Sequence, residues 1–273
     1  MASIASLHVY PVKSCRGIDV ASARLTPTGL EWDRRWMIVD GKDRFVTQRE
    51  HAKLATITTA IIDGCLELSA EGHSTIAVDT HAGGATRPVR IWKDDCSGID
   101  AGDKAAAWLF RVLGANYRLV RIDERVPRLA NPEYAGPMPQ PVTFTDGYPV
   151  LMISRESLAE LNSRLPKPIP MARFRPNIVI EGVAAHAEDA MIAFRFGSIV
   201  LRGVKHCTRC SITTTDQKSG SRDPRQEPLR TLKTYRHDRK LRGVAFGQNC
   251  VLAEGVGEML AVGAPLTLET HQE

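Results

Sequence analysis

Aromatic side chains are scarce in this chain, at 6% of its 273 residues. Proteins that track nucleic acid combine a basic stripe with side chains on which bases stack. Here the basic residues read as scattered with few aromatics among them, so no nucleic-acid partner is expected. Long apolar runs are missing as well. None approaches the roughly 18 residues that a membrane-spanning helix requires, so no membrane partner is expected either. The N-terminus, Met1-Ala2-Ser3-Ile4-Ala5-Ser6-Leu7, has neither the positive flank nor the apolar core of a signal peptide. Cysteine is thinly spread: there are six, at 15, 65, 96, 207, 210 and 250, and only Cys207 and Cys210 are close in sequence. Without a secretion signal these are free thiols or metal ligands, not a disulfide framework. No internal repeat or low-complexity tract is present. Together these absences point to a cytoplasmic protein.

What is present fits an ordinary globular chain. Its length corresponds to about two domains at roughly 150 residues each. A chain of this size buries about three quarters of its unfolded surface and needs no covalent staples. Hydrophobic content of 43% and charged content of 25% are ordinary. The net charge of +5 is mild, and serves solubility or a local pocket for an anionic ligand. Frequent Gly and Pro favour short strands and turns.

The first third reads as strands: Ile4 to Pro11, a hairpin over Trp36 to Val46, then Leu54 to Ile62, Cys65 to Ser69 and Thr75 to Val78. Their spacing suggests a sheet closing into a barrel. Gly102 to Leu113 is a helix, with Ala105, Trp108, Leu109, Val112 and Leu113 at helical spacing. A second helix begins at Ser154, carries Leu158, Leu161 and Leu165 on its apolar face, and is stopped by Pro166. Residues 123–141 and 216–242 read as loops. Strands are expected at Asn177–Ile180, Ala193–Phe196, Ile199–Leu201, Gly247–Glu254 and Leu260–Leu268.

The densest chemistry lies in His206-Cys207-Thr208-Arg209-Cys210-Ser211-Ile212-Thr213-Thr214-Thr215-Asp216. A C-x-x-C pair serves three chemistries. Structural zinc needs further ligands, here His206 and a distant His, because no second C-x-x-C exists. A thioredoxin-like pair opens a helix, which the β-branched run after Cys210 disfavours. A soft metal bound by a single thiolate needs only one of the two. Spacing alone leaves all three open. Arg209 stands beside the thiols, and a guanidinium there favours a thiolate or grips a phosphate. Arg173-Phe174-Arg175-Pro176-Asn177 offers an anion clamp, with the Asn177 amide positioned to hold a polar heterocycle. Lys13-Ser14 and Asp33-Arg34-Arg35-Trp36 add cations from the N-terminal half.

Several segments together resemble one family. Leu7-His8-Val9-Tyr10-Pro11-Val12-Lys13-Ser14-Cys15-Arg16-Gly17 is similar to the opening of the MOSC N-terminal β-barrel domain. Phe174 to Ile180, Cys207 to Asp216, Arg225 to Leu232 and Phe246-Gly247-Gln248-Asn249 resemble the MOSC domain, in matching order and approximate spacing. The chain thus resembles the mitochondrial amidoxime-reducing component and its bacterial YcbX-type relatives.

The resemblance implies a mainly β, α+β fold: an N-terminal β-barrel domain over residues 1–122 and a MOSC β-barrel domain with peripheral helices over 123–273. It implies a molybdenum cofactor, Mo-molybdopterin, with Cys210 as the metal-ligating thiolate and Cys207 as its neighbour. By position in the motifs, Lys13, Ser14 and Arg34 would contact the cofactor from the first domain. Thr145, Asp146, Gly147, Tyr148, Arg175 and Asn177 would line it from the second, with Thr208, Arg209 and Asn249 completing the pocket. The implied reaction is reduction of small N-hydroxylated substrates to amidines or amines. Asp216, just past the ligand pair in sequence, is a candidate proton donor or else a solvated turn aspartate. Neither a targeting extension before Leu7 nor an iron–sulfur domain after Asn249 is expected. Electrons are therefore expected from a separate flavin, haem or iron–sulfur protein. A sulfur-carrier module holding a persulfide, or a metal-binding module without reductase activity, is the competing expectation.

Overall fold

A computed structural model describes residues 1–270. It is 42% strand and 18% helix, which makes the chain mainly β with a few helices, as its spacing of turns implies. The largest sheet has nine strands. Along it run Ile18–Val20, Ser3–Val9, Ile178–Glu181, Val150–Ser154, Gly243–Glu254, Ile199–Thr208, Met191–Phe196 and Thr267–Thr270, with His237–Asp238 paired to Gly243–Glu254. Ser3 bridges Pro265, and Ile4 N–H donates to Ala264 O at 3.0 Å. Ser3–Val9, next to one end, therefore meets the segment leading into the strand at the other end, and the sheet closes on itself. Closure removes exposed edges and lets alternate side chains fill the inside. Leu7, Met152, Ile178, Phe194, Leu201 and Cys250 do so, each fully buried.

The strands Val150–Ser154 and Ile178–Glu181 run parallel. A parallel pair needs a crossover, and the helix Arg155–Arg164 supplies it. Ser154 caps this helix by accepting from Ser157 N–H at 3.1 Å, so the capping signal in the sequence is used. The helix Asp103–Leu113 buries Ala105, Trp108, Leu109 and Val112, and ends at Gly114 in the left-handed region at φ 75°. Fully burying Trp108 and Leu109 contributes roughly 2–3 kcal/mol each. They pack on Leu66, Leu68, Ile76 and Val78 of the antiparallel meander Thr58–Ile62, Cys65–Ala70 and His73–Asp79.

Several expectations change. The strands of the first third divide among four sheets, because Ser3–Val9 joins the large sheet and Ser22–Thr26 pairs with Met259–Ala261. Strand pairing thus crosses residue 122. Leu54 lies in a 3-10 turn, Ala52–Thr56, ahead of its strand. The strand expected to stop at Leu201 continues to Thr208 because Gly243–Glu254 pairs along its length. Residues 216–242 are not all loop, since Leu229–Tyr235 is helical and anchors Leu232 under Phe246 and Phe174. Within 123–141, Asn131 caps a short helix, Pro132–Ala135.

Candidate functional site

A cleft of about 1220 Å³ opens between the N-terminal turns and the end of the Ile199–Thr208 strand. Every residue expected to contact the cofactor lines it: Lys13, Ser14, Arg34, Thr145, Asp146, Gly147, Tyr148, Arg175, Asn177, Thr208, Arg209, Cys210 and Asn249. Three of these have left-handed backbones, Ser14 (φ 67°), Arg34 (φ 48°) and Arg175 (φ 56°). Non-glycine residues there cost about 1 kcal/mol or more each, which the surrounding bonds must offset. Such strain concentrates where side chains are aimed at a ligand.

Tyr10 organises the cations. The guanidiniums of Arg34 and Arg175 each stand 4.3 Å from its ring centroid. Burial pushes the phenol up to about 12, against the opposing charges of Arg175 and Arg34, so it stays neutral and donates to Pro176 O at 3.0 Å. Burial, together with the charge of Arg34, lowers Arg175 to about 10, which leaves it charged at neutral pH. Its Nη1 donates to Cys15 O at 2.7 Å.

Asp146 organises a second group. Its Oδ1 accepts from Lys13 Nζ at 2.5 Å and its Oδ2 from Arg49 Nη2 at 3.3 Å. Desolvation in the cleft acts to raise the half-exposed Asp146 carboxyl, but the charges of Lys13 and Arg49 hold it well below the usual range. Burial lowers Lys13 to about 8, with Asp146 opposing the shift. Arg128 shapes the same loop, donating to Thr145 O at 2.8 Å while its Nε holds Asp94 at 2.7 Å.

The two thiols have different partners. Arg209 Nη1 lies 2.8 Å from Cys207 Sγ, whereas Cys210 Sγ receives Arg49 Nη2 at 3.1 Å. The neighbouring arginine in the sequence therefore serves the other cysteine. After Cys210 the chain makes a 3-10 turn, Ser211–Thr214, and not the α-helix of a thioredoxin pair. His206 Nδ1 faces Asp238 at 3.1 Å and its Nε2 faces Asp189 O at 3.3 Å. No group of three or more His, Cys, Asp or Glu side chains converges among the described residues, so the zinc reading finds no ligand set.

Three assignments need correction. Asp216 does not line the cleft. Its Oδ1 accepts from Lys218 N–H (3.0 Å), Ser219 N–H (2.9 Å) and Ser219 Oγ (3.1 Å), and Arg173 lies 3.6 Å away. The Ser219 bond, with further hydrogen bonds and Arg173, outweighs burial and lowers its carboxyl below the usual range, which is the wrong direction for a proton donor. Arg173 is drawn to that turn and to Thr214 O, so only Arg175 of the expected clamp reaches the cleft. Asn177 is at the cleft, but protein groups take most of its amide. Oδ1 accepts from Arg34 Nη1 (3.0 Å) and Leu151 N–H (3.1 Å), and Nδ2 donates to His8 O (3.3 Å). It positions Arg34, and one Nδ2 hydrogen is left for a ligand. Sequence reasoning missed Arg49, Arg128, Phe45 and Trp92. Trp92 is 43% exposed at a turn, stacks under Arg49 at 4.5 Å, and donates to Asp146 at 3.3 Å. A lone exposed Trp at a turn was the one local signal for this group.

The model of the MOSC N-terminal beta barrel domain matches residues 1–116, and that of the MOSC domain matches residues 139–267. Human mitochondrial amidoxime-reducing component 1 is 35% identical over 284 residues, covering 98% of this chain and 83% of that protein. The chain belongs to the amidoxime-reducing component family of MOSC proteins. Two further relatives agree. Mitochondrial amidoxime reducing component 2 of Bos taurus is 33% identical, covering 86% of this chain and 73% of that protein. Component 1 of Mus musculus is 35% identical, covering 86% and 72%. In this chain the cleft joins segments from both matched regions, with Lys13, Arg34 and Arg49 from the first and Arg175, Arg209 and Cys210 from the second. No helix among the described residues is long and apolar enough to cross a membrane.

Proposed function

We propose that this chain is a molybdenum-cofactor-dependent reductase of N-hydroxylated compounds, amidoximes and hydroxylamines among them, driven by electrons from a separate donor protein. The observation that carries the reading is the convergence of the Cys210 thiol with Lys13, Arg34, Arg49, Arg175 and Arg209 in one cleft. The relatives whose names describe amidoxime reduction support the substrate class.

The residues present fit an anionic, sulfur-rich cofactor. Arg49 Nη1, Arg175 Nη2, Arg209 Nε, Thr145 Oγ1 and Tyr148 OH are buried in the cleft walls without a hydrogen-bond partner among the described residues. Unpaired buried donors cost about 1–3 kcal/mol each, a cost that a bound anion would offset. Lys13, Ser14, Arg34 and Arg175 would hold its phosphate, by charge-assisted and bidentate hydrogen bonds. Cys210 would supply the protein thiolate, a soft ligand suited to a metal already held by sulfur. When bound, the group supplies the two-electron chemistry that these side chains lack. The chain's own residues place and polarise. Arg49 donates to Cys210 Sγ and is held there by Asp146 and the Trp92 ring. Lys13 Nζ, at about 8, keeps its proton at neutral pH beside Asp146.

Metal and pterin analysis of the purified protein tests this reading, together with Cys210→Ala. One equivalent of molybdenum with pterin is expected, and a folded Cys210→Ala variant without amidoxime reduction. Zinc without pterin, a Cys210 persulfide without pterin, or full activity in the variant would each overturn it.

A further inference from the structure

The formal charge of the chain is concentrated in one segment. Residues 222–242 contain eight Lys and Arg against three acids, a net +5 that equals the charge of the whole sequence. The remainder is formally neutral, which corrects the expectation of scattered basic residues. The helix Leu229–Tyr235 and the turns around it present this charge as a groove of about 700 Å³. Arg209, Arg225, Arg230, Lys233, His237 and Arg242 line it, and its wall holds no carboxylate among the described residues.

The segment's acids are outside the groove lining and accept backbone hydrogen bonds. Asp223 Oδ1 accepts from Arg225 N–H at 2.8 Å, Glu227 Oε2 from Thr231 N–H at 3.1 Å, and Asp238 from Leu241 N–H at 2.9 Å. Asp238 also holds His206, and the nearby Arg236 is spent on Asp189. Arg225, Arg230, Lys233 and Arg242 are exposed, and none has a carboxylate within 4.0 Å among the described residues. A cluster of like charges repels itself in the free protein and draws an opposite surface from a distance.

The groove is also next to the redox cleft. Arg209 lines both, and its Nη1 lies 2.8 Å from Cys207 Sγ. One side chain separates the basic groove from the thiol pair. The wall contains no Phe, Tyr or Trp, so a nucleic acid would find no stacking platform there.

We propose that this groove is the docking surface for an acidic electron-transfer protein. The proposal rests on the reductase reading above and supplies its partner surface. The donor is oxidised by two electrons in all. The N–O bond of the substrate breaks, and its oxygen leaves as water with two protons taken from solvent.

The test uses the full chain loaded with cofactor, and a variant carrying Arg225→Gln, Arg230→Gln, Lys233→Gln and Arg242→Gln. Lys233→Glu alone is a second variant should the first fold poorly. Reduced plant-type ferredoxin, an acidic iron–sulfur protein, is the probe donor. A reduced viologen dye is the small reductant that needs no docking. With the dye, wild type and variants are expected to reduce an aromatic amidoxime equally. With ferredoxin, the wild-type KM and the directly titrated Kd are expected to rise about tenfold between about 20 and 200 mM salt. The fourfold variant is expected to start about tenfold weaker at low salt and to lose that dependence. Equal ferredoxin affinity in variant and wild type overturns the proposal, as does a wild type that binds a single-stranded oligonucleotide but not ferredoxin. Absence of dye-driven reduction in the wild type, with ferredoxin binding still salt- and variant-dependent, sinks the reductase reading and leaves the docking surface standing.

Discussion

Arg49 Nη2 and Cys210 Sγ meet at 3.1 Å although 161 residues separate them. The same nitrogen reaches Asp146 Oδ2, and the guanidinium lies against the Trp92 ring. Arg49 therefore ties the first matched region to the thiol of the second. A charge-assisted hydrogen bond is worth about 1.5–3 kcal/mol, or roughly a 10- to 150-fold effect if it is needed in the transition state. Arg49→Gln is expected to lower kcat/KM for an amidoxime by that order with little change in unfolding midpoint. An unchanged kcat/KM would remove Arg49 from the site.

The two cysteines are expected to behave differently. Cys207 bonds Arg209, whose Nη2 also donates to Phe174 O, so the guanidinium stays anchored without the thiol. Cys207→Ala should keep its molybdenum and pterin content and lose no more than about fivefold in rate. If metal content drops as far as in Cys210→Ala, the separation of their roles is wrong.

Lys13 carries a pH signature. Its ammonium is buried, and its folded value of about 8 lies below the ordinary 10.5, with Asp146 opposing and Arg128 and Arg34 adding to the fall. A lysine depressed in this way burdens the folded state below about pH 8. The unfolded chain keeps its proton up to the higher value, so this burden is relieved as pH rises from about 8 towards 10.5. Anion binding moves the other way, because the charge disappears over the same rise. Affinity of the apoprotein for inorganic phosphate, measured by titration calorimetry, is expected to weaken through about pH 8 in the wild type. Lys13→Met should weaken it below about pH 8 and flatten that inflection. A wild-type profile already flat across that range would contradict the placement of Lys13.

Gly247 has φ 83°, and a Cβ there would lie 2.6 Å from Ile153 Cγ1 and 2.8 Å from Met152 O. The second contact is backbone and cannot rotate away. Gly247→Ala is expected to cost about 2–4 kcal/mol in urea unfolding, from the left-handed backbone and the clash combined. Gly257 is also left-handed, at φ 88°, but a Cβ would meet nothing within 4 Å. Gly257→Ala should therefore cost only about 1 kcal/mol. Equal losses would mean that the clash relaxes.

Asp216→Ala is expected to leave amidoxime reduction within about twofold while removing roughly 1–2 kcal/mol of stability, because its carboxylate closes the 216–221 turn. Its carboxyl is depressed in the fold, so this stabilisation is present above the ordinary aspartate value and is lost as pH falls below it. Thermal unfolding at neutral and acidic pH reads the difference. A large loss of activity would return Asp216 to the catalytic candidates.

Some of this molecule is written in local order. Helix Asp103–Leu113 follows from apolar spacing and the glycine after it. The cap at Ser154, the β-branched run after Cys210 and the mainly β class are equally local. The family motifs named the cleft residues, and all thirteen from Lys13 to Asn249 line one cavity. Tertiary structure decided what each residue does there. Arg209 adjoins Cys210 in sequence but lies two residues beyond Cys207, a spacing that returns to the same face of extended chain, so it serves Cys207. The cation for Cys210 arrives from Arg49 through closure of distant segments, for which no local periodicity exists. Asn177 reads as a ligand amide, and packing engages its oxygen twice and one of its two Nδ2 hydrogens. Asp216 looked like a proton donor until its turn supplied three donors to one oxygen. Side-chain chemistry follows from residue type, but hydrogen-bond partners and burial come from contacts between remote parts of the chain. Those contacts exist only once the sheet has closed.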